Sequence, residues 1–155
     1  MIKAGILTLR IILGVIFLWA GLSKVGAPMQ TLATVYSYQV VLPDWVASTI
    51  AYSLPWIEIA IGLALIFGLI MSVTLSATAI VLFAFTVLTA QAWWRELPID
   101  CGCIDLSALH PAFAVLTTPG GATLRNLVLL GLTGLLAVLV IRGRKKTSAE
   151  DSSAS

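Results

Sequence analysis

This chain has little charge. Only 10% of its 155 residues are Asp, Glu, Lys or Arg, against about 25% in soluble globular domains. The net charge of +2 is small and no basic stripe is interleaved with aromatics, which excludes a nucleic-acid-binding surface. Cysteine is nearly missing. With two in the whole chain there is no disulfide framework of the kind that staples small secreted domains, so position says more than number. Histidine occurs once, as His110, and no internal repeat is present.

What the chain does have is apolar length. Hydrophobic residues make up 59% of it and the mean hydropathy is +1.04. Crossing about 30 Å of hydrocarbon takes roughly 20 apolar residues in a helix, because a helix satisfies its own backbone there. Four stretches qualify: 6–22, 50–71, 73–94 and 124–141. The second and third follow almost without a gap, which predicts a tight corner over Met71 to Thr74. The fourth begins after the breaker run "TTPGG" and ends at "RGRKK". The fold class expected is therefore all-α: a membrane domain over 1–143 built as a four-helix transmembrane bundle, followed by a disordered cytoplasmic tail over 144–155.

Two connectors break the apolar runs. Residues 26–45, "GAPMQTLATVYSYQVVLPDW", suit a short interfacial helix between spans one and two, closing at the Pro43-Asp44 turn with Trp45 at headgroup depth. The other connector, 95–121, opens after the interfacial pair Trp93 and Trp94. An even number of spans puts both termini on one side. That side carries six cations (Lys3, Arg10, Arg142, Arg144, Lys145, Lys146) and the loop side three (Lys24, Arg95, Arg125). The positive-inside rule then makes the termini cytoplasmic and turns the loops toward a periplasmic or equivalent space outside an inner (cell) membrane. A cleaved signal peptide is the rival reading of the first span, opposed by its long apolar region and the poor small-residue pattern near Ala27.

Both cysteines lie in the second connector, in "ELPIDCGCIDL". Cys101 and Cys103 can join only if the backbone turns sharply between them, which Gly102 allows. Such a bridge would be strained and exposed, and both properties raise its reduction potential, so it would act as an exchangeable electron carrier. Asp100 and Asp105 would raise the thiol pKa while Arg95 would lower it. Three other readings stay open: an acylated pair, a soft metal site, or thiols without chemistry. For zinc, two thiolates and His110 leave the tetrahedron incomplete, so no metal is assigned.

Glu58 is the second outlier, a carboxylate in a run otherwise apolar from Ile57 to Ile70. A centred ion costs about 3 kcal/mol even on insertion scales, so it needs a partner or a proton. Counting from Tyr52 at about 1.5 Å per residue places it roughly 9 Å below the loop-side interface. Lys24 and Arg125 stand at comparable depth and are the available cations. A structural ion pair and a polar pocket for a small molecule are both compatible with that pattern. Pro55, three residues earlier, removes a backbone hydrogen bond and predicts a kink that opens room near Glu58. Gly14, Gly21, Gly62 and Gly68 point to close helix packing. Trp19, Trp56, Tyr36 and Tyr38 are candidates to line a flat ligand, or else interfacial anchors.

Taken together, "RIILGVIFLWAGLSKVGAP", "LPDWVASTIAYSLPWIEIAIGLALIFG", "DCGC" and "TLRNLVLL" resemble the DoxX-like superfamily and specifically its MauE (methylamine utilisation protein) branch, from about Leu9 to Val140. The resemblance implies a four-helix membrane bundle that takes part in thiol-disulfide or electron transfer for maturing exported proteins, such as the small subunit of methylamine dehydrogenase. It also implies a thioredoxin-like protein or a disulfide-containing exported client as partner. By position, Cys101 and Cys103 match the family's reactive pair, Lys24 and Glu58 its first- and second-span charges, and Arg125 with Asn126 its Arg-Asn pair. The family commonly continues Cys-Gly-Cys with Phe-Gly, whereas Ile104 and Asp105 follow here. The expectation is a thiol-disulfide oxidoreductase component with Cys101 and Cys103 catalytic, and with quinone as the candidate cofactor near Lys24, Glu58, Arg125 and Asn126. The competing expectations are a non-catalytic membrane chaperone or small subunit with incidental cysteines, and a transport protein for lipid or a small metabolite.

Overall fold

The computed structural model describes residues 2–39, 43–97 and 118–153, with side chains over 4–39, 43–97 and 118–143. Among these residues every regular element is a helix: α1 (Ile2–Val25), α2 (Pro28–Ser37), α3 (Asp44–Phe67), α4 (Met71–Trp94) and α5 (Pro119–Ser153). Four of them are long and apolar enough to cross a membrane, over Ala4–Val25, Asp44–Phe67, Met71–Trp94 and Pro119–Gly143. The fold is the expected all-helical one with four membrane-length helices. Cys101, Gly102 and Cys103 lie outside the described residues.

The ends of the helices differ from the hydropathy windows because caps, not apolar content, stop a helix. α3 starts at Asp44, six residues before its apolar run, with Pro43 just outside it and the acidic side chain in the first turn, where the positive end of the helix dipole lies. The corner between α3 and α4 falls at 68–70, not over Met71 to Thr74 as expected. Gly68 adopts the left-handed conformation (φ 72°) that closes α3, and Leu69 donates back to the Ala64 carbonyl at 2.9 Å. Met71 already belongs to α4.

At the start of α5 the breaker run is partly absorbed into the helix. Thr118 caps it, its Oγ1 accepting from Gly121 N–H at 3.2 Å, and Pro119 takes the first helical position, where no amide donor is required. At the other end the backbone stays helical to Ser153. No Gly or Pro follows Gly143 in the sequence to end the helix. Pro55 likewise leaves α3 continuous from Asp44 to Phe67.

Packing follows the small residues. α1 lies against α3 and α4 against α5, and contacts of α1 with α5 and of α3 with α4 close the ring. The α1–α3 seam is backbone on backbone. A Cβ at Gly62 would stand 2.7 Å from Leu18 N and 2.9 Å from Gly14 O, and one at Gly21 would meet Pro55 O at 2.8 Å. The core beneath is Leu13, Phe17, Ile61, Leu65, Leu75, Leu82, Leu129 and Leu136.

Arg10 is tied down across the α1–α3 seam. Its Nε donates to the Leu65 carbonyl (3.0 Å) and its Nη2 to the Ile66 carbonyl (3.1 Å), closing the C-terminal end of α3 with a cation where the dipole is negative. The positive φ is what favours glycine at position 68, and a Cβ there would also displace the Arg10 guanidinium, standing 2.0 Å from its Nη2. On the loop side, Arg95 Nη2 donates to Gln39 Oε1 at 3.1 Å and links the two connectors.

Candidate functional site

The charged site is assembled from four helices. Lys24 comes from the last turn of α1, Glu58 from the middle of α3, Phe85 from α4, and Arg125 and Asn126 from the second turn of α5. The Gly14–Gly62 and Gly21–Pro55 contacts set the register of α1 on α3, which leaves Lys24 and Glu58 roughly 9 Å apart along the bundle axis. Helical side chains lean toward their own N-terminus. Because α1 and α3 are antiparallel, Lys24 leans inward and Glu58 toward the loops, and the two meet.

Lys24 Nζ donates to Glu58 Oε1 in a buried ion pair, with Lys24 7% and Glu58 3% exposed. The ammonium also lies 4.9 Å from the centroid of the Phe85 ring, whose π face adds attraction in a dry setting. Arg125, the other cation considered from the sequence, makes no hydrogen bond or ion pair to any described residue. It stands instead in the wall of a small, partly open cavity of about 40 Å³, together with Ile16, Phe17, Ala20, Glu58, Leu82, Phe85, Asn126 and Leu129.

Two polar atoms in that wall are left over. Glu58 Oε2, the oxygen not held by Lys24, and Asn126 Nδ2 are buried without a hydrogen-bond partner, and Asn126 is 4% exposed. The buried threonines nearby differ, for each bonds its own helix: Thr78 to Thr74 O (2.7 Å), Thr89 to Phe85 O (2.9 Å) and Thr133 to Leu129 O (2.8 Å). They are satisfied structural groups. An unsatisfied buried acceptor and donor in one cavity are not, and each costs about 1–3 kcal/mol until something meets it. The residues of the wall thus include one unmet acceptor, one unmet neutral donor and one guanidinium without a partner among the described residues, set among aromatic and aliphatic side chains.

Of the residues singled out from sequence, Lys24, Glu58, Arg125 and Asn126 come together here, and Lys24 is the partner of Glu58. Trp19 (62% exposed) and Trp56 (64% exposed) face outward, Tyr36 is exposed and Tyr38 is buried, and none of the four lines the cavity. The ring walls are Phe17 and Phe85, which no local signal separated from their apolar neighbours. Tyr36 serves the connector instead: its hydroxyl donates to Asp44 Oδ1 at 3.2 Å, docking α2 on the start of α3. Desolvation first and the Asp44 carboxylate second hold its phenol above the ordinary pKa. Among the described residues no group of three or more His, Cys, Asp or Glu side chains is placed to hold a metal ion.

Comparison with known proteins locates the chain more closely. The family described as "Methylamine utilisation protein MauE" matches residues 2–141. The chain is also similar to methylamine utilization protein MauE of Paracoccus denitrificans, with 31% identity over 130 residues, covering 83% of this chain and 66% of that protein. The chain thus spans just under two thirds of that relative's length. No solved structure matches it.

Proposed function

Because the chain belongs to the MauE family of methylamine utilisation proteins, we propose that it serves methylamine utilisation as a membrane component that transfers electrons or exchanges disulfides during maturation of an exported client. In this reading Cys101 and Cys103 form the reactive pair, the termini are cytoplasmic and the loops extracytoplasmic. A thioredoxin-like protein or the client itself is the exchange partner. The dithiol is coupled to a quinone at Lys24, Glu58, Arg125 and Asn126.

The observation that carries the reading is the convergence of those four side chains near the loop end of the bundle. Arg125 and Asn126 sit six and seven residues into α5, roughly 9–10 Å from its start. The connector that bears the cysteines leaves α4 and enters α5 at that same end. Polar atoms left unsatisfied in a low-dielectric wall act strongly on a ligand whose charge changes, because little water screens them.

Two elementary steps follow from this chemistry. A thiolate of one cysteine attacks the partner's disulfide sulfur, and the second cysteine resolves the mixed disulfide, leaving the partner as dithiol and Cys101–Cys103 oxidised. In the opposite direction the same pair is reduced at the partner's expense. Oxidation of the dithiol to the disulfide delivers two electrons and two protons, and these convert one quinone to its quinol.

Single Cys101→Ala and Cys103→Ala variants test the proposal in cells that express the methylamine pathway. One of them should accumulate a mixed disulfide with a thioredoxin-like protein or with the client. If neither traps any protein, and client maturation survives replacement of both cysteines, the chain is a non-catalytic chaperone of the membrane and the exchange reading fails.

A further inference from the structure

We infer that the cavity beside Glu58 is a seat for a single hydroxyl group, so that it takes a dihydroxy-aromatic ligand, a quinol, in preference to the corresponding quinone. The inference rests on the quinone reading above and adds which redox form the site selects.

The argument starts from what the two unpartnered atoms require. Glu58 Oε2 can only accept, because its carboxylate is ion-paired to Lys24 through the other oxygen, and Asn126 Nδ2 can only donate. Both are buried and both belong to residues in the same wall. A carbonyl oxygen would satisfy Asn126 and leave Glu58 Oε2 unmet. An anion would be drawn by Arg125 and could satisfy Asn126, but it would leave Glu58 Oε2 unmet and be repelled by that carboxylate, while an ammonium would satisfy Glu58 and leave Asn126 Nδ2. A hydroxyl does both at once, accepting from the amide and donating to the carboxylate.

Size agrees with a small polar group and not with a whole ring. At about 40 Å³ the cavity is well short of the roughly 150 Å³ that encloses a benzene ring, yet it exceeds the 10–15 Å³ that one water needs. A hydroxyl with the carbon that bears it fits inside, and the rest of the ring remains at the open side. Arg125 is in the same wall with no partner among the described residues. Its positive charge favours the partial negative charge on the hydroxyl oxygen. Water has the same hydrogen-bonding capacity as the hydroxyl, and two or three molecules would fill the same volume, so the competing outcome is a hydration site.

The test uses the full chain in lipid nanodiscs, with both cysteines replaced by alanine so that dithiol chemistry does not interconvert the probes. Equilibrium binding is measured for a short-tailed p-benzoquinol, for its benzoquinone and for the quinol dimethyl ether. The quinol should bind about tenfold more tightly than the quinone, the scale set by one unsatisfied buried acceptor. The ether should bind no better than the quinone. Glu58→Gln, whose amide can turn a donor to the carbonyl, should bring the quinol-to-quinone ratio toward one. Asn126→Leu leaves the ion pair untouched and should weaken both forms with the ratio preserved. Equal affinities, or tighter quinone, overturn hydroxyl selection and leave quinone binding standing. If no probe binds, the hydroxyl seat and the quinone reading fall together, and the cavity is a hydration site.

Discussion

Lys24 and Glu58 hold each other across the α1–α3 seam, with the ammonium of Lys24 also 4.9 Å from the centre of the Phe85 ring on α4. One ion pair therefore ties three of the four membrane-length helices together, at a depth where neither charge could remain alone.

Breaking that pair from one side should be costly, because it strands a buried charge. Lys24→Met is expected to destabilise the bundle by about 3–5 kcal/mol. The Lys24→Met, Glu58→Leu double variant, which removes both charges, should recover most of the loss. Unfolding in mixed micelles followed by circular dichroism measures both. A double variant as unstable as the sum of the singles would show that the pair is not the link it is described to be.

The α1–α3 seam makes an opposite pair of expectations for glycine. Gly62→Ala pushes a methyl against Leu18 and Gly14 backbone and should cost about 1–3 kcal/mol. At Gly131 and Gly134 an added Cβ meets nothing within 4 Å, so alanine there should be neutral or stabilise by up to about 1 kcal/mol through helix propensity. The same unfolding assay separates the two groups.

Arg10 should behave as a cap and not as a membrane anchor. Arg10→Ala frees the Leu65 and Ile66 carbonyls and should cost about 1–2 kcal/mol. Arg10→Lys should restore only part, since a single ammonium cannot fork across two carbonyls. Hydrogen exchange at the last turn of α3 and the 68–70 corner is the direct readout, and unchanged protection in Arg10→Ala would refute the capping role.

Asn126 separates stability from function. Its Nδ2 finds no partner, so Asn126→Leu removes an unsatisfied donor and is expected to leave thermal stability unchanged or raised. Client maturation should fall in the same variant if the cavity serves the reaction. A loss of stability on that substitution would mean that the amide has a structural partner.

The topology has its own check. A membrane-impermeant maleimide added to intact cells should label Cys101 and Cys103 after reduction and leave a cysteine placed at Ser148 unlabelled. The reverse pattern would invert the bundle and with it the proposed exchange.

By itself the sequence determined the solvent and the architecture. Four apolar runs, each long enough to span hydrocarbon, depend only on local composition, and in lipid a helix is the structure such a run can adopt. It also exposed Glu58, Lys24 and Arg125, because a charge inside an apolar run is conspicuous whatever surrounds it. Cys101 and Cys103 stand out in the same way, and their chemistry rests on sequence and family resemblance alone.

Tertiary structure alone decided the partnerships. Whether Glu58 meets Lys24 or Arg125 depends on how α1 slides along α3, and that is set by backbone contact at Gly14, Gly21 and Gly62. The capping role of Arg10 and the Phe17 and Phe85 walls arise likewise from residues far apart in the chain, as does the placing of Glu58 and Asn126 in the wall of one cavity. The physical reason is range. Hydropathy and capping act within a turn or two of helix, whereas which leftover polar atoms come to share a cavity is settled only when the helices close on one another.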